Sequence, residues 1–180
     1  SFVRFVIIAE LAVADGTECS VAVKVAGDGN AYSAALTGKK GVLEGKIAYA
    51  DGAISWQPAF GATEYEISIN GETVQTTNTS FDLDIAAAGT CEITVKVSGA
   101  QNGISVSVVF RQITLNVNGG NALGKTEIYL VDGDKLQLPA EIVKDNYVFA
   151  GWYDSANGPE GNGRKYESGE IFRGAQNIEL

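Results

Sequence analysis

The sequence predicts an all-β chain whose middle third folds as a β-sandwich, and three observations carry that prediction. Apolar and polar residues alternate over most of the chain, which is the period of a half-buried strand. Turn signals such as Asn70-Gly71 recur about every 8 to 12 residues, the spacing typical of a sandwich. Evidence for helices is thin, because no capping box opens a run with helical periodicity.

Seven short strands are predicted between residues 45 and 112. The turn Asp51-Gly52 separates the first two strands. Asn70-Gly71 predicts a type I′ hairpin, since that turn needs positive φ at both central positions. Asn102-Gly103 precedes the last of the seven strands. The apolar residues that alternate along these strands are Ile47, Tyr49, Ile54, Trp56, Tyr65, Ile67, Ile69, Val74, Phe81, Leu83, Ile85, Cys91, Ile93, Val95, Val97, Ile104, Val106, Val108 and Phe110.

An internal repeat relates residues 16–27 to residues 89–99. It places Cys19 and Cys91, which lie 72 residues apart, at equivalent positions in two copies of one unit. The first copy, residues 1–44, lacks its front half, and the second copy spans residues 45–112. Because a disulfide needs Cα atoms within about 7 Å, we expect the two cysteines of separate units to be reduced and unpaired.

The second copy resembles a known family of sandwich domains. The marks are Ile54-Ser55-Trp56-Gln57-Pro58, the segment at residues 61–67, Asn70-Gly71, and Gly89-Thr90 before a Val-Lys-Val strand. Together they resemble the fibronectin type III domain in the form common in bacterial surface proteins. In the resembled family a tyrosine usually stands where this chain has Cys19 and Cys91, and its hydroxyl ties down the adjoining corner. Because both copies depart from that pattern, we expect packing alone to hold the corner.

From Ile113 onward the sequence changes character. Strands are predicted at residues 113–117, at residues 128–130 before Asp132-Gly133, and at residues 177–180, and the sequence leaves room for one short helical turn near residues 140–144. An aromatic segment, Tyr147-Val148-Phe149-Ala150-Gly151-Trp152-Tyr153, follows Leu138-Pro139.

With Asn118-Gly119-Gly120, this segment makes residues 113–180 resemble the internalin-type B-repeat, a small β-grasp module of bacterial surface proteins. The resemblance implies three parts: a partial fibronectin type III-like unit (1–44), a complete one (45–112) and a B-repeat-like module (113–180). It also implies a short aromatic strand beyond Leu180. Since the chain contains no methionine, we expect it to be a fragment of a longer protein.

Composition excludes several classes of function. No histidine occurs among the 180 residues, which removes Ser-His-Asp triads, Cys-His dyads and zinc sites with histidine ligands. The net charge of -9, without clustered basic residues, argues against a nucleic-acid partner. The apolar stretch at residues 5–14 is too short to span a bilayer, so no membrane insertion is expected in this segment.

Acidic residues are the remaining candidates for catalysis or metal binding. Asp132, Asp134, Glu141 and Asp154 could serve glycoside hydrolysis, which needs two carboxylates at a fixed separation. Asp28-Gly29-Asn30 and Asp132-Gly133-Asp134 could offer oxygens to calcium. Both patterns are first of all turn chemistry, and the carboxylates fit solvated loops better. We therefore assign no catalytic, cofactor-binding or metal-binding residue.

Trp56 and Tyr65 are expected in the sandwich core, whereas Trp152 leaves two interpretations open. Trp152 either fills the core of the last module or faces a glycan, because Phe149 and Trp152 have opposite parity unless Gly151 marks a bulge. Burial is the favoured interpretation, since so small a module needs its aromatic side chains inside.

The sequence predicts a non-catalytic segment of a bacterial cell-surface or secreted protein, with a role in structural display or adhesion. The alternative is a glycan-binding or spacer region of a large extracellular carbohydrate-active enzyme. Expected partners are a protein or glycan at the cell surface, and no cofactor is expected. Residues 1–40 are expected to associate with a second copy or with a separate fragment, because the sheet that would cover their apolar face is missing. A stiff junction is expected at Arg111-Gln112, which contains no flexible residues.

Overall fold

The computed structural model describes residues 13–22 and 34–180. The predictions for residues 5–12 and for the calcium candidate Asp28-Gly29-Asn30 lie outside the described residues. Within them the all-β prediction is confirmed. The strands are β1 (Glu18–Val21), β2 (Leu36–Lys39), β3 (Ala48–Ala50), β4 (Ala53–Ser55), β5 (Tyr65–Ile69), β6 (Glu72–Thr76), β7 (Ser80–Asp82), β8 (Gly89–Val97), β9 (Gly103–Thr114), β10 (Glu127–Leu130), β11 (Trp152–Tyr153), β12 (Lys165–Tyr166) and β13 (Ile178–Glu179), and a short 3₁₀ helix spans Gly158–Gly161.

The strands form four sheets in the part of the chain that the structure describes. β1 and β2 pair antiparallel, and β3, β4 and β7 form a three-stranded sheet. The largest sheet has the order β10-β9-β8-β5-β6, with β13 paired in parallel to β9. β11 pairs antiparallel with β12. Leu36 on β2 is 71 % exposed, and the association expected of residues 1–40 stays a prediction.

The hairpin predicted at Asn70-Gly71 is present. Asn70 has φ 50° and Gly71 has φ 92°, so both central residues adopt the positive φ that a type I′ turn requires. β5 and β6 pair on either side of it, with Ile69 opposite Glu72. The Asn70 side chain also accepts a hydrogen bond from the Glu92 N–H at 2.9 Å, which ties the turn to β8.

The chain folds as two compact units, and the first comprises residues Ser1–Ala48, Ser55–Phe81 and Glu92–Val106. The burial predicted for Trp56 and Tyr65 is confirmed: both are buried, and their rings meet edge to face at 5.5 Å. The Tyr65 hydroxyl accepts a hydrogen bond from the Ala59 N–H at 3.1 Å. An aromatic pair with one satisfied hydroxyl is well suited to the interior of a small domain.

Both cysteines are thiols, as predicted, but only one has the predicted inward position. Cys91 is buried on β8, whereas Cys19 on β1 is partly exposed. The Cys19 thiol donates to the carbonyl of Thr17 at 3.4 Å. The two-stranded sheet β1-β2 therefore buries this position less than β8 buries its counterpart.

The second unit comprises Tyr49–Ile54, Asp82–Cys91 and Ser107–Leu180. Most of its core comes from residues after Arg111. The buried members of this core are Ile113, Leu115, Leu130, Leu136, Leu138, Ile142, Trp152, Tyr166, Phe172 and Leu180. These apolar side chains are contributed by strands and by loops alike, so the interior of this unit depends as much on irregular segments as on its sheets.

The secondary structure of this unit differs in detail from what the sequence predicts. The two strands expected on either side of Arg111-Gln112 are one strand, β9, in which both residues pair with β10. No helical turn forms at residues 140–144, because the Val143 N–H donates to the Asn121 side chain and its carbonyl accepts from the Asn121 N–H. The aromatic segment is a strand only at Trp152–Tyr153.

Candidate functional site

Asp134 was expected in a solvated turn, and the structure corrects this: it is the one charged residue that is buried among residues 13–22 and 34–180. Its Oδ2 accepts a hydrogen bond from the Tyr49 hydroxyl at 2.7 Å and another from the Val131 N–H at 2.8 Å. The Tyr49 hydroxyl in turn accepts from the Gly52 N–H at 3.1 Å. A buried carboxylate with such donors is satisfied, which makes it a structural anchor.

The Tyr49 ring extends this anchor into the interior. It meets Phe110 edge to face at 5.8 Å, and Phe110 is 2 % exposed. The backbone of Asp134 also pairs with Phe172, because the Phe172 N–H donates to the Asp134 carbonyl at 2.8 Å. The Asp134 turn therefore contacts the hairpin of β3 and β4 and the chain near Phe172, all within the second unit.

The environment of Tyr49 predicts sensitivity to alkali. Burial, followed by the hydrogen bond to Asp134 and its negative charge, raises the pKa of Tyr49 well above its ordinary value of 10.0. The neutral phenol is thus favoured in the folded state. The contribution of Tyr49 to the free energy of unfolding is fully present below pH 10.0, and it is lost as the pH rises through the pKa that Tyr49 has in the folded state.

We expect Tyr49→Phe to remove this alkaline loss, measured as the free energy of unfolding between neutral pH and the highest pH at which unfolding stays reversible. Tyr129→Phe is the matched control, because the Tyr129 hydroxyl also donates to a carboxylate, Glu127 at 2.8 Å, but is exposed to solvent. If the free energy of unfolding fell equally steeply with rising pH in the wild type and in Tyr49→Phe, the expectation would be contradicted.

The other candidate carboxylates are engaged separately. Asp132 is exposed and pairs with Arg173 at 3.1 Å. Asp154 accepts from the Arg164 N–H at 2.7 Å and from the Tyr166 hydroxyl at 3.2 Å. Glu141 is exposed. Over the described ranges, no group of three potential metal ligands is found.

Trp152 lies in the core of the second unit, as the favoured interpretation predicted. It is 5 % exposed, and its indole N–H donates to the Pro139 carbonyl at 2.9 Å. Phe149 packs against it edge to face at 5.6 Å although the two residues have opposite parity. Strand parity does not apply to Phe149, because the strand begins only at Trp152, and Gly151 between the two rings has φ 128°.

A groove of about 810 Å³ runs beside the aromatic segment. Tyr147 and Val148 line it and are 70 % and 94 % exposed. The Lys144 ammonium lies 4.5 Å from the centre of the Tyr147 ring. The rest of the lining is mixed, with polar residues at Asn116, Asn118, Asp154, Ser155, Asn157, Glu160 and Glu179.

Most polar side chains of the groove already have partners within the protein. The Asn116 amide donates to Glu179 Oε1 at 2.8 Å, and its oxygen accepts from the Asn118 N–H. The Lys144 ammonium donates to the Asn118 carbonyl at 2.7 Å. Tyr147 therefore offers an exposed ring, while the polar groups beside it mainly hold the groove walls in place.

The comparisons with known proteins find a similarity for the last part of the chain. Residues 112–180 match the family model of the Listeria-Bacteroides repeat domain, which is a bacterial surface repeat. No curated protein and no solved structure matches the chain. No helix among the described residues is long and apolar enough to cross a membrane.

Proposed function

We propose that the chain is a non-catalytic extracellular segment of a bacterial surface protein. Its role is structural display or adhesion rather than the conversion of a substrate. The observation that carries the proposal is the match of residues 112–180 to a bacterial surface repeat. The sequence marks of an internalin-type B-repeat coincide with this region, and they support a small β-grasp module there.

The preceding region supports the same proposal. Seven strands, β3 to β9, lie between Ala48 and Thr114, in the sheet orders β3-β4-β7 and β9-β8-β5-β6. We propose a fibronectin type III-like domain at residues 45–112, after a partial one at residues 1–44. Such modules commonly occur in tandem and function as spacers, so their presence favours a display role.

The proposal that the segment is non-catalytic rests on how the acidic residues are used. The Asp134 carboxylate accepts hydrogen bonds from Tyr49 and Val131. The Asp154 carboxylate accepts hydrogen bonds from Arg164 and Tyr166. Glycoside hydrolysis instead needs two carboxylates that face one cleft with separate roles. These side chains stabilise turns, and that use favours a structural role.

The exposed ring of Tyr147 favours a second candidate function, glycan binding in an accessory region of a carbohydrate-active enzyme. Open aromatic rings stack on sugars through their apolar faces. Tyr147 has the exposure that Trp152 lacks. The partners inside the protein that occupy Asn116 and Lys144 weaken this candidate, because they make these two side chains less available to the hydroxyls of a sugar.

Antibodies against the purified chain test the proposed location. They should label intact cells of the encoding bacterium as strongly as permeabilised cells, and labelling only after permeabilisation would refute the proposal. A glycan array separates the two roles. Binding by the wild type that is lost in Tyr147→Ala would establish the glycan candidate, and absence of binding by the wild type favours the spacer.

A further inference from the structure

The strands at the two ends of the repeat domain run side by side in the same direction. β9 carries the chain into residues 112–180, and β13 ends at Glu179. The two strands pair in parallel, with Ile178 opposite Ile113 and Glu179 opposite Thr114.

Hydrogen bonds of the backbone and of side chains join these terminal stretches, in addition to the pairing of β9 with β13. The Leu180 N–H donates to the Thr114 carbonyl at 2.8 Å, and the Asn116 N–H donates to the Leu180 carbonyl at 2.7 Å. The Asn116 amide donates to Glu179 Oε1 at 2.8 Å. At the other end, the Gln112 N–H donates to Asn177 Oδ1 at 2.9 Å. The contact thus extends over residues 112–116 and 177–180.

The same stretches are anchored in the apolar core. Ile113, Leu115 and Leu180 are 0 %, 4 % and 6 % exposed and belong to one cluster of buried side chains. The strands cannot slide past each other unless these side chains leave that cluster, which exposes apolar surface to water.

The parallel pairing of the terminal strands determines how the domain resists a force that is applied along the chain. Tension draws β9 back toward its N-terminal end and β13 forward toward its C-terminal end, so the two strands are loaded along their length in opposite directions. The hydrogen bonds between the two stretches then resist together. Antiparallel strands pulled apart from one end, in contrast, lose their bonds one after another.

We propose that the pairing of residues 112–116 with residues 177–180 is a shear-loaded clamp, which keeps the repeat domain folded when the chain is under tension. The proposal rests on the proposed function only for the origin of the tension, which a surface-displayed chain would experience. The clamp is tested on the purified protein, so its failure is distinguishable from a failure of the surface location.

Single-molecule force spectroscopy on the full chain tests the clamp in two pulling geometries. Handles at Val109, which is 39 % exposed, and at Leu180 load β9 against β13 in shear. Handles at Val109 and Asp132 instead open the antiparallel pair β9-β10 from the Arg111 and Leu130 end. At equal loading rate we expect the unfolding force to be higher by about twofold or more in the first geometry, since forced unfolding reports the unfolding barrier. Equal forces would overturn the proposal.

Two asparagine variants provide a matched comparison. Asn177→Ala removes the acceptor of the Gln112 N–H, and Asn121→Ala removes the acceptor of the Val143 N–H at 2.7 Å, outside the clamp. Asn177→Ala should lower the shear force and leave the β9-β10 opening force unchanged, and Asn177→Asp, which keeps an oxygen acceptor, should restore it. Equal loss of shear force in Asn177→Ala and Asn121→Ala would overturn the clamp.

Discussion

Trp152→Ala is expected to unfold the second unit, at a cost of about 3 to 5 kcal/mol in the free energy of unfolding. The indole is 5 % exposed and packs edge to face on Phe149 at 5.6 Å. Its removal leaves a cavity in the core of this unit. It also leaves the Pro139 carbonyl without the indole N–H that donates to it at 2.9 Å.

Thermal and denaturant unfolding of the full chain measures this cost. Tyr147→Ala is the matched control, because it truncates an aromatic side chain of the same segment that is 70 % exposed. We expect the control to change the free energy of unfolding by less than about 0.5 kcal/mol, as surface substitutions usually do. Equal effects of the two substitutions would contradict the assignment of Trp152 to the core.

Asp134→Ala is expected to cost about 2 to 5 kcal/mol, because it leaves two donors without their acceptor. The Tyr49 hydroxyl and the Val131 N–H both donate to the one carboxylate oxygen. Asp134 is buried, so water cannot readily replace the lost acceptor. The loss therefore includes the desolvation cost of the orphaned groups as well as the hydrogen bonds.

Denaturant unfolding measures this second cost, and amide hydrogen exchange at Val131 and Gly52 locates it. Asp132→Ala is the control, since Asp132 lies in the same turn but is exposed and pairs with the exposed Arg173. Exposed ion pairs contribute about 0 to 1 kcal/mol. If Asp134→Ala were no more destabilising than Asp132→Ala, the anchoring role of Asp134 would be wrong.

The local features of the fold could be predicted from the sequence. The φ values of Asn70 and Gly71 are those the Asn-Gly signal requires, since the turn is decided by the conformational freedom of two adjacent residues. The burial of Trp152 also followed from local composition and module size. These predictions succeeded because the information lies within a few residues of the feature.

The contacts between distant residues could not be predicted. Tyr49 and Asp134 are 85 positions apart, and Asp132-Gly133-Asp134 reads as an ordinary exposed turn. The position of the β3-β4 hairpin determines whether Asp132 or Asp134 is buried. The sequence of the turn alone, or of the hairpin alone, does not reveal this position. The contact of Phe149 with Trp152 could not be predicted from strand parity either, because the chain before Trp152 is not a strand.

The central claim is that Trp152 in the aromatic segment serves folding rather than ligand capture, and the fluorescence of its indole tests this most directly. Trp56→Phe isolates this signal, and it breaks no hydrogen bond because the Trp56 indole nitrogen is buried without a partner among the described residues. We expect a blue-shifted emission that acrylamide quenches weakly and that glycans leave unchanged. A red-shifted, readily quenched emission that a glycan protects would contradict the claim.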